Sequence, residues 1–343
     1  MELGIDSFLS DNFGREEQRY SNAEAMKLFL ERINYADHCG LDFYGVGEHH
    51  RKGFLDSSPV TILAAAAALT KKIRLGSAVT VLSAADPVRI FQSFATLDLI
   101  SGGRAEMVVG RGSSVEAFPL FGFDLQDYDA LFEEKLDLLL KIRAEEVISW
   151  SGTFRAPIHH LPVYPRPLQN PLPIWLGVGG TPSSFVRAGR LGLPLVIAVI
   201  GGETHRFRPL VDLYREAGIK AGYAEDQLKV SLHSLGYLAE STEKAIADYA
   251  PGHFYFINKF GKERGWPPMT PERFAFSRSE TGFLLLGSPE EVAEKIKRHS
   301  LALGGLSRVT FQMDNAGLSQ EQILNATELI GTRLSPYLNS SAN

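Results

Sequence analysis

Eight times along this chain a short apolar run gives way to a stretch whose apolar residues recur at helical spacing. No other feature restricts the fold as much. The runs begin at Leu3, Phe43, Ile73, Arg104, Ile174, Leu195, Lys229 and Arg308. Between them, Met26, Phe29, Leu30 and Ile33 mark one helix with a single buried face, and Phe132, Leu136, Leu139 and Leu140 mark another. Start signals agree with this period. Ser21 with Glu24, and Ser288 with Glu291, have the spacing of capping boxes. Ser58-Pro59, Asp86-Pro87 and Thr181-Pro182 each place a capping residue before a proline at the first helical position. Strands separated by helices pair in parallel, and eight such units predict an α/β fold, a single (β/α)8 TIM barrel rather than an open doubly wound sheet.

Two stretches depart from the alternation. Residues 150–173 carry prolines and histidines, and Pro251 to Gly282 is rich in aromatics without a steady period. A surplus apolar run, Phe283 to Leu286, follows the second. The expectation is one barrel domain over residues 1–343, with insertions near 150–173 and 251–286. No repeat of fixed period and no low-complexity linker divides the chain.

Composition removes several classes of function. A formal net charge of −5, with no basic patch interleaved with aromatics, offers no footprint for nucleic acid or an anionic membrane. A lone cysteine, Cys39, excludes an internal disulfide and a cysteine metal cluster. The longest apolar segments, such as Ile62 to Leu69, are too short to span a bilayer, and MELGIDSFLS does not read as a signal peptide. The expected compartment is the cytoplasm.

In a barrel of this type, functional groups gather where strands hand over to helices. Strand two ends in Glu48, His49 and His50, a carboxylate and two imidazoles that can titrate or hydrogen-bond at the mouth of a pocket. Ser77, Ala78, Val79 and Thr80 end strand three, and Gly110-Arg111-Gly112-Ser113 follows strand four. Gly177-Val178-Gly179-Gly180-Thr181-Pro182-Ser183-Ser184 follows strand five. Glycines let backbone N–H groups approach a phosphate, and the helix N-terminus behind them favours negative charge. Arg111 would add a full positive charge, and Thr181 and Ser184 would add hydroxyl groups. Pro182 replaces the third glycine of a dinucleotide fingerprint, and no Lys-Ser/Thr pair follows as in a Walker loop.

Taken together, GEHH (Gly47 to His50), LGSAVTVL (Leu75 to Leu82), DPVR (Asp86 to Arg89), SGGR (Ser101 to Arg104), GRG (Gly110 to Gly112), GVGGT (Gly177 to Thr181), GLPL (Gly192 to Leu195) and LGSPEEVAEKI (Leu286 to Ile296) resemble the bacterial luciferase-like family of flavin-dependent monooxygenases. The resemblance runs in order over nearly the whole chain. It implies a barrel that binds reduced FMN on one rim and, with O2, oxygenates a small, apolar organic substrate through a C4a-hydroperoxyflavin. It places Ala78 and Val79 at a non-proline cis peptide against the flavin ring. Arg111, with Gly112, Gly179, Gly180, Thr181 and Ser184, would form the phosphate loop. His49 would be the catalytic histidine, with Glu48 orienting it and His50 beside it. Gly180 stands where luciferase has an acidic residue and Gly110 where it has a cysteine, which argues against aldehyde chemistry and light emission. The implied partners are a separate NAD(P)H:flavin reductase and a second copy of the chain as homodimer. The competing readings are a deazaflavin-dependent dehydrogenase of the same fold, a metal-dependent hydrolase using Glu48, His49 and His50, and a silent flavin-binding protein.

Overall fold

The computed structural model describes residues 1–10, 20–112, 115–263 and 265–339. Its strands, in chain order, are β1 (Glu2–Ser7), β2 (Phe43–Val46), β3 (Arg74–Ser77), β4 (Thr80–Val81), β5 (Ala105–Gly110), β6 (Val147–Trp150), β7 (Ile158–Pro162), β8 (Ile174–Val178), β9 (Leu195–Val199), β10 (Val230–Leu238), β11 (Leu285–Gly287) and β12 (Arg308–Gln312). Eight of them close a parallel ring in the order β1-β2-β3-β5-β8-β9-β10-β12. Gly4 opposite Thr310 completes the circle, and these are the eight strands the alternation predicts. Closure leaves no free edge to this ring, and each strand's two faces are buried, one against helices and one towards the axis.

The helices cover the outside as the spacing requires. Phe29 and Ile33 of the helix Asn22–His38, Phe91 and Phe94 of Pro87–Ser101, and Leu136 and Leu139 of Tyr128–Ala144 are fully buried. Leu99, which shares the period of its helix, is instead exposed. Ser21 and Glu24 form both halves of a capping box. Ser288 accepts from the Glu291 amide, whereas the side chain of Ser58 bonds to Thr61 rather than to a helical N–H.

The two irregular stretches have structure of their own. Strands β6 and β7 form an antiparallel hairpin apart from the barrel. The aromatic stretch after Pro251 shows no steady period, and the sequence suggests only a short helix from Ser241 or Thr242 before it; that helix instead runs through the proline as Thr242–Glu263, and a second covers Pro271–Arg278. Its buried stripe is Tyr249, Gly252, His253, Ile257 and Gly261. Glycines and a histidine hold positions where a sequence pattern looks for bulky apolar side chains. Gly252 is needed there: a Cβ would lie 1.7 Å from the Ala316 carbonyl oxygen. The surplus run supplies β11, which pairs with the end of β10 and stays outside the ring.

Inside the barrel the lower layer is charged. Arg308, 1% exposed, donates through both terminal nitrogens to Glu106, 2% exposed, and through Nε to Glu2. Its guanidinium lies 4.3 Å from the Phe43 ring centroid and 4.6 Å from that of Trp175. Aromatic faces and two carboxylates replace the water this cation would otherwise hold. Above this layer the axis opens into a cavity.

Candidate functional site

The cavity encloses ≈ 350 Å³ and opens on the rim where the strands end. That volume is at the lower end of the range for small-molecule sites. Turns from β2, β3, β5 and β8 meet around it, which brings His49, Ala78, Val79, Arg111, Gly112 and Gly179 into its lining. Glu48 also reaches the lining, but His50, Gly180, Thr181 and Ser184 are not part of it. Ser113, in the turn after β5, lies outside the described residues.

The two neighbouring imidazoles point apart, as alternation along an extended segment requires. The His49 side chain stays in the cavity, stacked on Phe54 at 4.2 Å between centroids and tilted against Phe8 at 4.8 Å. The ring of His50 turns to Phe121 and to Glu48 Oε1, 2.9 Å from its Nε2. This corrects the expected role of Glu48: its second oxygen accepts from the Val81 amide at 2.9 Å, and it holds the loop after the Ala78–Val79 bond rather than His49.

The group that holds His49 is Asp56, a residue the sequence reading did not single out. It is fully buried, and its Oδ2 lies 2.9 Å from His49 Nδ1 while its Oδ1 accepts the His49 backbone N–H at 3.1 Å. Burial pushes the Asp56 carboxyl upwards, and the hydrogen bond and charge of His49 oppose that shift. Nothing in the spacing marks Asp56, since it lies in a loop with no period.

The peptide between Ala78 and Val79 is cis. Ala78 is wedged over Gly45, where a Cβ would come within 2.9 Å of it. The Val79 side chain packs towards Gly110 and Gly177, where added Cβ atoms would lie 2.7 and 2.8 Å from it. The shelf at the end of β3 is therefore supported from strands on either side by residues without side chains.

Arg111 joins two turns. Its Nη2 donates to Thr181 Oγ1 at 3.1 Å, its Nη1 pairs with the exposed Asp129, and its guanidinium lies 5.3 Å from the Tyr128 ring centroid. Tyr128 donates to the Gly112 carbonyl at 2.7 Å and so fixes the same turn from the helix that follows. The Thr181 hydroxyl faces Arg111 and makes no cap bond to the helix Pro182–Arg190. Gly180 has φ +128, and a side chain at Gly179 would meet open space. Ser184 is buried in the first turn of that helix, with its N–H on the Thr181 carbonyl at 3.0 Å. A cation, a hydroxyl held by it, an open glycine and a helix N-terminus within one corner make a fitting cradle for a phosphate.

Deeper in the same cavity, and also missed by the sequence reading, lie Asp6, Ser231, His233 and Thr310. The far wall is aromatic: Phe256, Phe260 and Trp266 line it from the helix Thr242–Glu263 and the turn beyond. Among the described residues, no group of three or more His, Cys, Asp or Glu side chains could hold a metal ion. No described helix is long and apolar enough to cross a membrane.

The family model described as luciferase-like monooxygenase matches residues 6–305. The chain is 27% identical over 327 residues to 4-hydroxyprotoasukamycin monooxygenase of Streptomyces nodosus subsp. asukaensis, covering 91% of this chain and 86% of that protein. Its fold is similar to the oxygenating constituent of 3,6-diketocamphane monooxygenase from Pseudomonas putida, a type II Baeyer-Villiger monooxygenase in complex with FMN (TM-score 0.80, 20% identity, 98% of each chain). It is also similar in fold to the coenzyme F420 dependent tetrahydromethanopterin reductase of Methanopyrus kandleri (TM-score 0.72, 20% identity, 98% of this chain and 99% of that one).

Proposed function

We propose, from the premise that this chain belongs to the luciferase-like monooxygenase family, that it is an FMN-dependent monooxygenase acting with O2 on a small organic molecule. The observation that carries this reading is the corner built by Arg111, Thr181 and Gly179, whose Arg111 and Gly179 line the same cavity as the Ala78–Val79 shelf and His49. A planar ring on the shelf with a phosphate at the corner would use both features at once.

Bound reduced FMN supplies the oxygen-activating chemistry, and the chain supplies position, dryness and proton handling. Arg111 exchanges its exposed partner Asp129 for the phosphate, and the hydroxyls of Thr181 and Ser184 add polar contacts. His49 donates its Nδ1–H to Asp56, so the neutral ring presents Nε2 as the atom that takes up or returns a proton. Phe256, Phe260 and Trp266 act as a lid that keeps water from the reacting atoms. No second nucleotide-binding unit is legible in the sequence, which favours a separate NAD(P)H:flavin reductase in the cytoplasm as the source of reduced FMN. A homodimer completes the proposal on family grounds.

Titration of the purified protein with FMN, riboflavin and a deazaflavin cofactor tests this. The wild type should prefer FMN, and Arg111→Ala should weaken FMN far more than riboflavin. Equal losses for the two flavins would refute the phosphate corner, and tighter binding of the deazaflavin would replace the monooxygenase reading with a dehydrogenase. Rapid reduction of bound FMN by NADH alone would remove the separate reductase.

A further inference from the structure

Next to the Arg308 layer the cavity is lined by four further polar residues from three strands, Asp6, Ser231, His233 and Thr310. Asp6 is the last but one residue of β1, Ser231 and His233 lie two apart on β10 and so face the same way, and Thr310 sits opposite His233 on β12. Asp6 Oδ2 lies 2.6 Å from His233 Nδ1 and also accepts the Thr310 hydroxyl. Asp6 Oδ1 and Ser231 Oγ have no hydrogen-bond partner among the described residues, although the two side chains are 3% and 1% exposed. Gly45 contributes by absence: a Cβ there would lie 2.1 Å from Asp6 Oδ1. Phe8 separates this cluster from the rim, with its ring 4.8 Å from His49 and stacked 6.1 Å from His233.

A buried acceptor without a donor costs free energy until something supplies one. The cluster has a distinct polarity. A carboxylate accepts only, so His233 must place its proton on Nδ1, which leaves Nε2 of the neutral ring as another acceptor. The Ser231 hydroxyl can act either way. Arg308 and Gln312 line the same chamber, but Arg308 gives Nε and both terminal nitrogens to Glu2 and Glu106, and Gln312 Nε2 donates to Asp314, so the unmatched acceptors and the hydroxyl favour a donor.

We infer that this polar cluster is a recognition subsite for an O–H or N–H group on the organic substrate, received by Asp6, Ser231 and His233. The substrate class is then an apolar molecule with one hydroxyl or amide N–H directed down the barrel axis and its reacting part held beside His49. His233 and Asp6 position the substrate here; the proton transfer at the rim stays with His49. This inference rests on the FMN-dependent reading above.

The test uses protein saturated with oxidised FMN, titrated calorimetrically with 1-octanol and its isomeric ether 1-methoxyheptane. The pair matches in size and differs in the donor. The wild type should bind the alcohol about tenfold tighter than the ether, the scale of one hydrogen bond to a charged group. Asp6→Asn should bring that ratio to within about twofold of unity while affinity for the ether holds, since the amide offers a donor where the carboxylate offered an acceptor. Ser231→Ala should lower the ratio severalfold, and because its hydroxyl holds nothing in the protein it serves even if Asp6→Asn fails to fold. Equal affinities in the wild type, or a ratio untouched by the variants that fold, would overturn the subsite. The flavin ring carries an N–H of its own, so FMN and its N3-methyl analogue form a second arm. If Asp6→Asn abolishes the preference for FMN over that analogue, the donor belongs to the cofactor and the substrate assignment falls. Failure of the wild type to bind FMN at all would instead overturn the functional reading beneath it.

Discussion

One buried carboxylate grips His49 twice: Asp56 Oδ2 lies 2.9 Å from the ring Nδ1, and Asp56 Oδ1 accepts the backbone N–H of the same residue at 3.1 Å. The double contact sets both the tautomer and the direction of the ring, and it leaves Nε2 for the cavity. Glu48, adjacent in sequence, takes no part in it.

Asp56→Asn should therefore impair turnover without disturbing the cofactor. The amide oxygen must stay on the His49 backbone N–H, so its NH2 faces Nδ1 and favours the opposite tautomer, and the expected loss in kcat is roughly tenfold to a hundredfold, part of the ~10²–10⁴ that general acid–base catalysis contributes. His49→Gln should lose at least as much, and FMN affinity should stay within about twofold in both. An Asp56→Asn enzyme with the wild-type kcat and pH profile would detach this pair from the chemistry.

Arg51 closes the mouth of the cavity with ion pairs. Its Nη2 lies 2.7 Å from Glu263 at the end of the helix Thr242–Glu263, and its Nη1 lies 3.5 Å from Glu116. These groups are partly exposed, so the pairs contribute little to global stability. Arg51→Gln should shift Tm by no more than about 2 °C, the scale of a fraction of a kcal/mol in a chain of this size. What should change is water exclusion: oxygen consumed without product should rise severalfold, and about 1 M salt should reproduce part of the effect in the wild type through screening. Unaltered coupling in both experiments would dismiss the latch.

The barrel floor makes an opposite prediction about stability. Glu106→Gln removes a bidentate partner of Arg308 while leaving the cation buried, with Glu2 as its remaining acid. Denaturant unfolding should show a loss at the lower end of the ~3–5 kcal/mol known for breaking such pairs. Replacing both by apolar side chains (Arg308→Met with Glu106→Leu) should recover most of it. Additive losses in the double variant would mean the pair is not a unit.

Acid should weaken the protein through two buried histidines. Burial pushes His253 down to about 4. Burial, with Lys295 and His205 as positive neighbours, pushes His299 down to about 3. Both titrate near 6.5 when unfolded, so the unfolded chain takes up protons first. Their contribution is complete above about pH 6.5 and is lost as pH falls towards 4 and then 3, at ~1.4 kcal/mol per pH unit for each histidine. Urea midpoints at pH 7, 6 and 5 should fall steeply in the wild type and more gently in the His253→Gln, His299→Gln double variant. Identical slopes would assign the acid sensitivity to other groups.

Much of the barrel is readable in the chain because its causes are local. The spacing of Phe29 and Ile33, the pairing of Asp86 with Pro87, and glycines at the strand ends each follow from burial on one face or from turn geometry within a few residues. The same local rules failed for the helix Thr242–Glu263, where Gly252, His253 and Gly261 hold the buried stripe. Its apolar partners are supplied by other elements.

The cavity marks the boundary between the two kinds of information. From sequence alone came an eight-stranded ring, a rim carrying His49 and Arg111, and a glycine-lined corner beside Thr181, because period, capping and turn chemistry act between near neighbours. The tertiary structure decided which groups meet: Asp56 rather than Glu48 on His49, seven residues on in an aperiodic loop, and Asp6 on His233 across a separation of 227 residues. Strand register sets the second meeting only once the ring has closed, and the first depends on the path of a loop that has no period. Neither is written in a repeating pattern, so both pairs could be seen only in the folded molecule.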